Sequence, residues 1–230
     1  MKTVLIWSGL LTAILFAASC QTQQSNTTAA NSATNTNMTH DMSNMSHGMS
    51  NMNHDNSNMQ GRDMTNMNSD PGAAQQPFDL QFLDSMIHHH NGAIAMSNMV
   101  LGKTERPELK SFAQKIIDDQ RKEIGEMNRL RERWYAGKPL SVNMEMPGMV
   151  GGMKIMNGEH MKEMGDMGSA HFDNHFLNMM IAHHEGAITM STEALKKAEH
   201  PEVKQLAERI IKAQQPEIEQ MKKWQADWDK

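Results

Sequence analysis

The spacing of apolar residues predicts two helices in the stretch that follows residue 77. From Asp79 to Ser97, the residues of one face recur every three or four positions, and the same spacing returns from Leu109 to Met127. This period places them on a single face of an α-helix. Pro107 suits the start of the second helix, because a residue of the first turn needs no backbone N–H. A short connection between two such helices predicts an antiparallel hairpin.

The hairpin pattern occurs twice in the chain. Residues 78–134 align without a gap on residues 172–228 when the sequence is shifted by 94 positions. Phe-Asp, Phe-Leu, Met-Ile, His-His and Gly-Ala-Ile recur in the same order, followed by Pro-Glu, Ile-Ile and a closing Trp. Such a repeat indicates a duplicated unit. One hairpin has too little core to fold alone, so two hairpins, over residues 77–136 and 171–230, predict an all-α four-helix bundle.

The two copies differ at Pro216, which lies inside the predicted fourth helix where the first copy has Lys122. A proline in a helix interior removes one backbone hydrogen bond and clashes with the preceding turn, at a cost of about 3 kcal/mol. We therefore expect a kink beside Gln214 and Glu217.

The start of the chain is typical of an export signal. A lysine precedes an apolar run over residues 4–18, which is shorter than the roughly 20 residues of a transmembrane helix. Residues 1–19 are therefore predicted to be a signal peptide that directs the protein to the periplasm or the cell surface. The residues up to Cys20 resemble a bacterial lipobox with Ala17 in place of the commoner Leu, which predicts lipidation of Cys20 and a membrane anchor. The alternative is an ordinary signal peptide cut near Ala18.

Residues 20–76 form a polar segment with almost no branched aliphatic residue. Such a segment buries too little apolar surface to offset its backbone entropy, so we predict a disordered tail. Methionine and histidine nonetheless recur closely within it. Thioethers suit Cu(I) and imidazoles suit both oxidation states of copper, so we predict that the tail captures metal. The candidate ligands here are Met38, His40, Met42, Met45, His47, Met49, Met52 and His54.

The amino-acid composition excludes several classes of site and partner. The 230 residues include 25 Met and 12 His but one Cys, which excludes an internal disulfide framework and a cysteine-rich zinc site. The formal net charge of −5 gives no reason to expect nucleic acid or another polyphosphate as a partner. The high content of methionine and histidine is not explained by these considerations. We therefore expect the function to depend on thioether and imidazole groups.

Histidine and methionine also lie on the core faces of the predicted helices. On a helical wheel His90 falls near the middle of the buried face, while His89 lies at its edge with Met96. A buried imidazole needs a partner, so one interpretation is that His90 and its repeat equivalent hydrogen-bond to Gln120 and Gln214. The other interpretation is that both copies bind a soft metal. The candidate ligands are Met86, His89, His90, Met96 and Met127, with Met180, His183, His184, Met190 and Met221 in the second copy.

The connector between the hairpins, residues 137–170, carries another methionine cluster. From Met149 onward Met and His recur every three or four positions, so a helix here would present one stripe of thioethers and imidazoles. The stripe either packs on the bundle or binds soft metal, and an adaptable element allows both. Several glycines weaken this helix, at about 1 kcal/mol each. The candidate ligands are Met149, Met153, Met156, His160, Met164, Met167 and His171.

These residues together resemble a known bacterial family. The succession Phe-Asp, Phe-Leu, Met-Ile, His-His and Gly-Ala-Ile, then Pro-Glu, Ile-Ile and Glu-Ile, is similar to the pattern of domain of unknown function 305, in two tandem copies. The resemblance implies a ferritin-like fold, and the family includes the periplasmic copper-binding CopM proteins. It also implies copper binding and copper resistance in the cell envelope, through the His-His pairs and nearby methionines of both copies. The first copy has His88 and Asn91 where the second has Ala182 and Glu185, so the two sites are expected to differ.

We therefore predict a copper-sequestration protein or chaperone that contributes to copper resistance and is not an enzyme. It would hold Cu(I) in preference to Cu(II) or Ag(I) and exchange metal with a protein partner. One alternative is an envelope adaptor without a metal function, in which methionine-rich segments are contact surfaces. A less favoured alternative is a di-iron or di-manganese carboxylate oxidase, which needs Glu-x-x-His on two helices. No bundle helix carries that motif in both copies, and Glu185 has no counterpart in the first.

Overall fold

Six helices account for most of the described chain, and their order follows the sequence repeat. The structure is a computed structural model that describes residues 68–153 and 158–228. The predicted signal peptide, Cys20 and the candidate ligands Met38–His54 lie outside these residues, as does Met156. The helices are α1 (Phe78–Lys103), α2 (Pro107–Tyr135), α3 (Met149–Met153), α4 (Gly158–Asp166), α5 (Ser169–Lys197) and α6 (Pro201–Trp228), and a 3-10 turn at Ala73–Gln75 precedes them.

Local sequence explains where the second helix of each hairpin begins. α2 opens on Pro107 and α6 on Pro201, whose missing N–H costs nothing in a first turn. Glu108 and Glu202 follow, and their negative charge is favourable near the positive end of the helix dipole. Short connections join α1 to α2 and α5 to α6, which makes each pair antiparallel.

Each hairpin fixes the turn of the other through an aspartate in its first helix. Asp79 is buried at the start of α1 and accepts hydrogen bonds from the backbone N–H groups of Glu199 and His200, each at 2.9 Å. These two residues form the turn before α6. The repeat equivalent, Asp173 on α5, contacts Arg106 Nε at 3.3 Å in the turn before α2. The two hairpins are therefore held together at their turns as well as by their core.

The helices α1 and α5 lie at the centre of the bundle. Every residue from Asp79 to His90 is buried, which is expected of a helix that is covered on several sides. α1 packs on both α2 and α5, and α5 packs on α6. α2 and α6 each bury one face, with Ile116 and Ile210 fully enclosed. The predicted all-α, ferritin-like bundle of two duplicated hairpins is confirmed.

The connector packs on the bundle through buried side chains and through α3. Val142, Met144 and Met146 are buried, and α3 lies against α5. Gly148 has a φ of +92°, and a Cβ atom there would lie 2.3 Å from the carbonyl oxygen of Gly186. Glycine fits both the left-handed conformation and this close approach. The start of α3 therefore sits tightly on the middle of α5.

A buried ion pair attaches the connector to the first hairpin. Asp84 on α1 accepts hydrogen bonds from Arg131 Nε at 2.6 Å and from the backbone N–H of Ser141 at 2.9 Å. Burial raises the pKa of Asp84, against the opposing effect of the Arg131 hydrogen bond and charge. In the second hairpin, the equivalent Asn178 accepts a hydrogen bond from Gln225 at 2.7 Å. One copy thus has a buried charged pair where the other has a neutral pair at the surface.

Two further features concern whole helices. α6 continues through Pro216, whose side chain is exposed, and the kink expected there stays a prediction. Within residues 68–153 and 158–228, no helix combines the length and the apolar character that crossing a membrane requires.

Candidate metal centre

Two histidines, one from each repeat, meet in the core of the bundle. The rings of His89 on α1 and His183 on α5 have centroids 3.6 Å apart and are inclined by 38°. His183 Nε2 lies 2.9 Å from the backbone carbonyl oxygen of His89. Because a carbonyl oxygen only accepts, His183 Nε2 carries the hydrogen, and Nδ1 of the neutral ring keeps a lone pair. The central contact of the core is therefore an imidazole pair.

His89 and Met96 are both fully buried, so their predicted position at the edge of the core face was wrong. The helical wheel assumed that α1 buries one face. Instead, α1 packs on α2 and on α5, so its covered surface is wider than a single stripe.

Both central imidazoles are neutral at physiological pH. Burial lowers the pKa of His89 well below 6.5, and the neighbouring imidazoles, His183 first, lower it further. Burial also lowers the pKa of His183 well below 6.5, with the help of His184 and His90 and against the hydrogen bond to the His89 carbonyl. The neutral ring is the form of histidine that binds metal ions. The core thus holds these two rings ready for coordination.

A carboxylate contacts the second histidine of each pair. His90 Nε2 lies 2.7 Å from Glu123 Oε2 on α2, and His184 Nε2 lies 2.8 Å from Glu217 Oε2 on α6. Both histidines are fully buried. Each hairpin therefore joins its two helices through a histidine–glutamate contact at the same repeat position.

The predicted partners of these histidines, Gln120 and Gln214, were wrong. Each glutamine lies about one turn before the glutamate on the same helix, and the hairpin register brings the glutamate to the imidazole. A carboxylate also forms a stronger hydrogen bond to an imidazole N–H than a neutral amide does. A signal in the sequence was available, because Glu123 and Glu217 follow His90 and His184 at equal distance in both copies.

The two histidine–glutamate contacts differ in their surroundings. Lys115 Nζ lies 2.7 Å from Glu217 Oε1 and 2.7 Å from Asp119 Oδ2. Burial alone would raise the pKa of Glu217, but the hydrogen bonds from His184 and Lys115 and the charge of Lys115 outweigh it and lower the pKa. The residue equivalent to Lys115 in the second copy, Arg209, contacts Glu126. The lysine thus makes the second half of the core electrostatically different from the first.

The core contains many buried polar atoms without a protein partner. Within the described part of the chain, these include both ring nitrogens of His89 and Nδ1 of His90, His183 and His184. Both side-chain polar atoms of Gln120 and of Gln214 join them. Native interiors leave few such atoms, because each costs about 1–3 kcal/mol. A bound metal ion, which accepts lone pairs, is one physical reason why imidazole nitrogens would be buried without a hydrogen-bond partner.

The structure also places the predicted methionine ligands of the bundle in this core. Met86 lies one turn before the His89-His90 pair on α1, and Met180 occupies the same place on α5. All six side chains are fully buried: Met86, Met96, Met127, Met180, Met190 and Met221. Their thioethers therefore share an interior with the imidazoles, and their role as ligands stays a prediction.

The connector residues divide between the core and the surface. Met149, Met153 and Met164 are fully buried, which agrees with packing on the bundle. Met167 is half-buried and His171 is exposed, so they do not belong to the imidazole core. His160 lies in α4, and its side chain is outside the described residues.

Carboxylates and imidazoles alone do not form a three-ligand site in this arrangement. In the described ranges, no three His, Cys, Asp or Glu side chains converge at metal-binding distance. A site in this core would therefore combine imidazole nitrogen with methionine sulfur or use two imidazoles. Such a donor set is soft and favours Cu(I) or Ag(I) over hard cations such as Mg²⁺ or Ca²⁺.

Comparison with known proteins gives two overlapping matches to one family. The profile of domain of unknown function 305 (DUF305) matches residues 14–131 and residues 79–225. Structures of CopM are similar in the Cu(I)-bound form (34% identity, TM-score 0.54) and the Cu(II)-bound form (35% identity, TM-score 0.55). Each comparison covers 65% of this chain and 96% or 97% of CopM. Silver-bound CopM is equally similar, at 33% identity and a TM-score of 0.54.

Relatives without a described function are also similar. A DUF305 fragment from Deinococcus radiodurans has 26% identity and a TM-score of 0.58, over 66% of this chain and 97% of that chain. An uncharacterised protein of Acanthamoeba polyphaga mimivirus is 44% identical over 52 residues, which is 23% of this chain. The matched stretch spans only 34% of that viral protein.

Proposed function

Because this chain belongs to the DUF305 family, as its sequence motifs indicated, we propose that it binds copper as a sequestration protein or chaperone of the cell envelope. The observation that carries the proposal is the buried His89–His183 pair, in which the ring centroids of two neutral imidazoles, one from each repeat, lie 3.6 Å apart. Copper- and silver-bound CopM structures support the same chemistry at the level of the family.

The donor atoms favour Cu(I) as the cargo. Thioether sulfur is a soft ligand that selects Cu(I), and imidazole nitrogen binds copper in both oxidation states. Met86 and Met180 are the nearest of the buried methionines along α1 and α5 to the histidine pairs. Ag(I) has similar preferences, and Cu(II) would rely on the histidines.

The same donor set argues for a binding protein instead of an oxidase. Di-iron carboxylate sites draw Glu side chains from all four helices of a bundle. Here Glu123 and Glu217 each lie within 2.8 Å of a histidine nitrogen, so their contacting oxygens are committed to hydrogen bonds. We propose that the protein is not an enzyme.

The sequence outside the described residues completes the proposal. Residues 1–19 would direct export, lipidated Cys20 would anchor the protein to a membrane, and Met38–His54 would collect metal ions near it. A DUF305 protein from Streptomyces coelicolor, predicted to be secreted, is similar at 25% identity and a TM-score of 0.58. Metal would then pass to or from a protein partner, and the whole would support copper resistance.

A metal count on reduced protein tests the proposal. We expect Cu(I) binding in competition with a chromogenic chelator, and a loss of at least one equivalent in the His89→Gln/His183→Gln variant. His175→Gln is the matched control, since His175 lies on α5 outside the central pair. Met180→Leu should weaken binding more than Met179→Leu, its buried neighbour. Absence of Cu(I) binding, or unchanged copper tolerance of a host whose four core histidines are replaced by Ala, would favour the adaptor alternative.

A further inference from the structure

In three of the core histidines, hydrogen bonds determine which ring nitrogen is available to a metal ion. Nε2 of His90 and Nε2 of His184 each lie within 2.8 Å of a glutamate oxygen. An ionised carboxylate only accepts, so each of these nitrogens carries a hydrogen. In a neutral ring the other nitrogen, Nδ1, then keeps its lone pair. His183 has the same arrangement, because its Nε2 donates to the backbone carbonyl oxygen of His89.

The Nδ1 atoms that keep a lone pair are also the ring nitrogens that lack a hydrogen-bond partner. Nδ1 of His90, His183 and His184 is buried and has no hydrogen-bond partner in the described part of the chain. In the neutral state the three imidazoles therefore share one tautomer and one type of unused lone pair. A purely structural role for the three rings would not require that all of them leave the same nitrogen unpaired.

We propose that Glu123 and Glu217 are positioning residues that hold His90 and His184 in the Nε2–H tautomer, so that these rings offer Nδ1 to the metal ion. The inference rests on the proposed function, since it concerns the copper cargo of the same core. Histidine ligands commonly donate their second N–H to a carboxylate, which orients the ring and increases the basicity of the coordinating nitrogen. Neither glutamate touches the metal in this arrangement.

The two positioning residues are not equivalent. Lys115 Nζ lies 2.7 Å from Glu217 Oε1 and neutralises part of its charge, whereas Arg209 at the equivalent repeat position contacts Glu126. Glu123 therefore acts on His90 with less competition from a cation. We expect the half of the core that contains His90 to bind the metal ion first.

Nuclear magnetic resonance of histidine-labelled ¹⁵N protein tests the assignment, with Ag(I) as a diamagnetic probe. In metal-free protein, His90, His183 and His184 should all show the Nε2–H tautomer. Ag(I) should shift Nδ1 of His90 and His184 while their Nε2–H signals persist. Glu123→Gln should alter the ring signals of His90 alone in metal-free protein and weaken Ag(I) binding about 10–100-fold. Glu126→Gln is the matched control, because Glu126 lies on the same helix and contacts Arg209.

Separate results decide the two proposals. A shift at Nε2 with loss of its hydrogen would overturn the positioning role while copper binding stands. Ring signals and affinity that do not respond to Glu123→Gln would also overturn it. No Ag(I) or Cu(I) binding by wild-type protein would overturn the proposed function itself. Should Glu123→Gln fail to fold, the wild-type spectra with Ag(I) still distinguish the two nitrogens.

Discussion

At the scale of single residues, Lys115 has the clearest electrostatic effect. Its side chain is more than half exposed, yet Nζ reaches the buried Glu217 at 2.7 Å. The same glutamate contacts His184 at 2.8 Å. A surface cation thus influences a hydrogen bond inside the core, and the first repeat has no such link in the described structure, since Arg209 contacts Glu126 there.

Replacing Lys115 with methionine should raise the pKa of Glu217. Burial would then be opposed by His184 alone, because the lysine no longer stabilises the ionised carboxylate. A carboxyl group whose pKa is lower in the folded state than in the unfolded state stabilises the fold. This stabilisation is complete when the pH is above the pKa of the unfolded state, and it is lost as the pH falls through the pKa of the folded state. The variant should therefore lose stability near neutral pH and resemble wild type in acid.

Carboxyl ¹³C titration of Glu217 measures this shift directly. Lys110→Met on the same helix is the control, because Lys110 is exposed and lies outside the core. An unchanged Glu217 titration in Lys115→Met would show that the lysine does not act on the carboxylate in solution.

At the scale of elements, Asp84–Arg131 and Asn178–Gln225 are two versions of one contact between the helices of a hairpin. The charged version also holds the connector, since Asp84 accepts from the backbone of Ser141. Breaking a buried ion pair leaves one charge without compensation and typically costs about 3–5 kcal/mol. Arg131→Gln should therefore be strongly destabilising, because Asp84 is fully buried.

The second repeat provides a neutral pair for comparison, which lies at the surface. The double variant Asp84→Asn/Arg131→Gln copies Asn178 and Gln225, whose amides bond at 2.7 Å. It should recover about half or more of the stability lost in Arg131→Gln, because no buried charge remains. Urea unfolding of the three proteins measures this. Equal losses in the single and double variants would mean that the hydrogen bonds from Arg131 to the carbonyl oxygens of Lys138 and Pro139 in the connector dominate.

The sequence predicted the elements better than the contacts between them. A period of three to four residues and a gapless repeat specify helices and hairpins, and both were confirmed. The axial register of two facing helices is not contained in that period, because Gln120 and Glu123 lie about one turn apart on similar faces. Only the packed hairpin shows that Glu123 reaches His90. For the same reason the close contact of Gly148 with Gly186 was not foreseeable.

At the scale of the whole molecule, duplication explains how a small bundle encloses four imidazoles. Each repeat supplies a His-His pair and a glutamate, and the contact between α1 and α5 joins His89 to His183. Neither hairpin alone would bury these rings on every side. The same enclosure that keeps His89 and His183 neutral makes the folded protein sensitive to acid.

Metal-free protein should lose stability as the pH falls below about 6.5. Burial lowers the pKa of His89 and of His183 well below that value in the folded state, whereas the unfolded chain takes up protons near it. The unfolded state then binds more protons, so the free energy of unfolding falls by at most about 1.4 kcal/mol per pH unit for each histidine. Above pH 7 the two histidines should contribute no slope.

Urea unfolding between pH 5 and 8 measures this slope, with His89→Gln/His183→Gln as the test variant. Removing both rings should flatten the curve in this range even if the variant is less stable overall. His171→Gln is the control, because His171 is exposed and its removal should leave the slope unchanged. Identical slopes for wild type and the double variant would mean that the central pair is accessible to protons, and an accessible pair would not keep its rings neutral for copper.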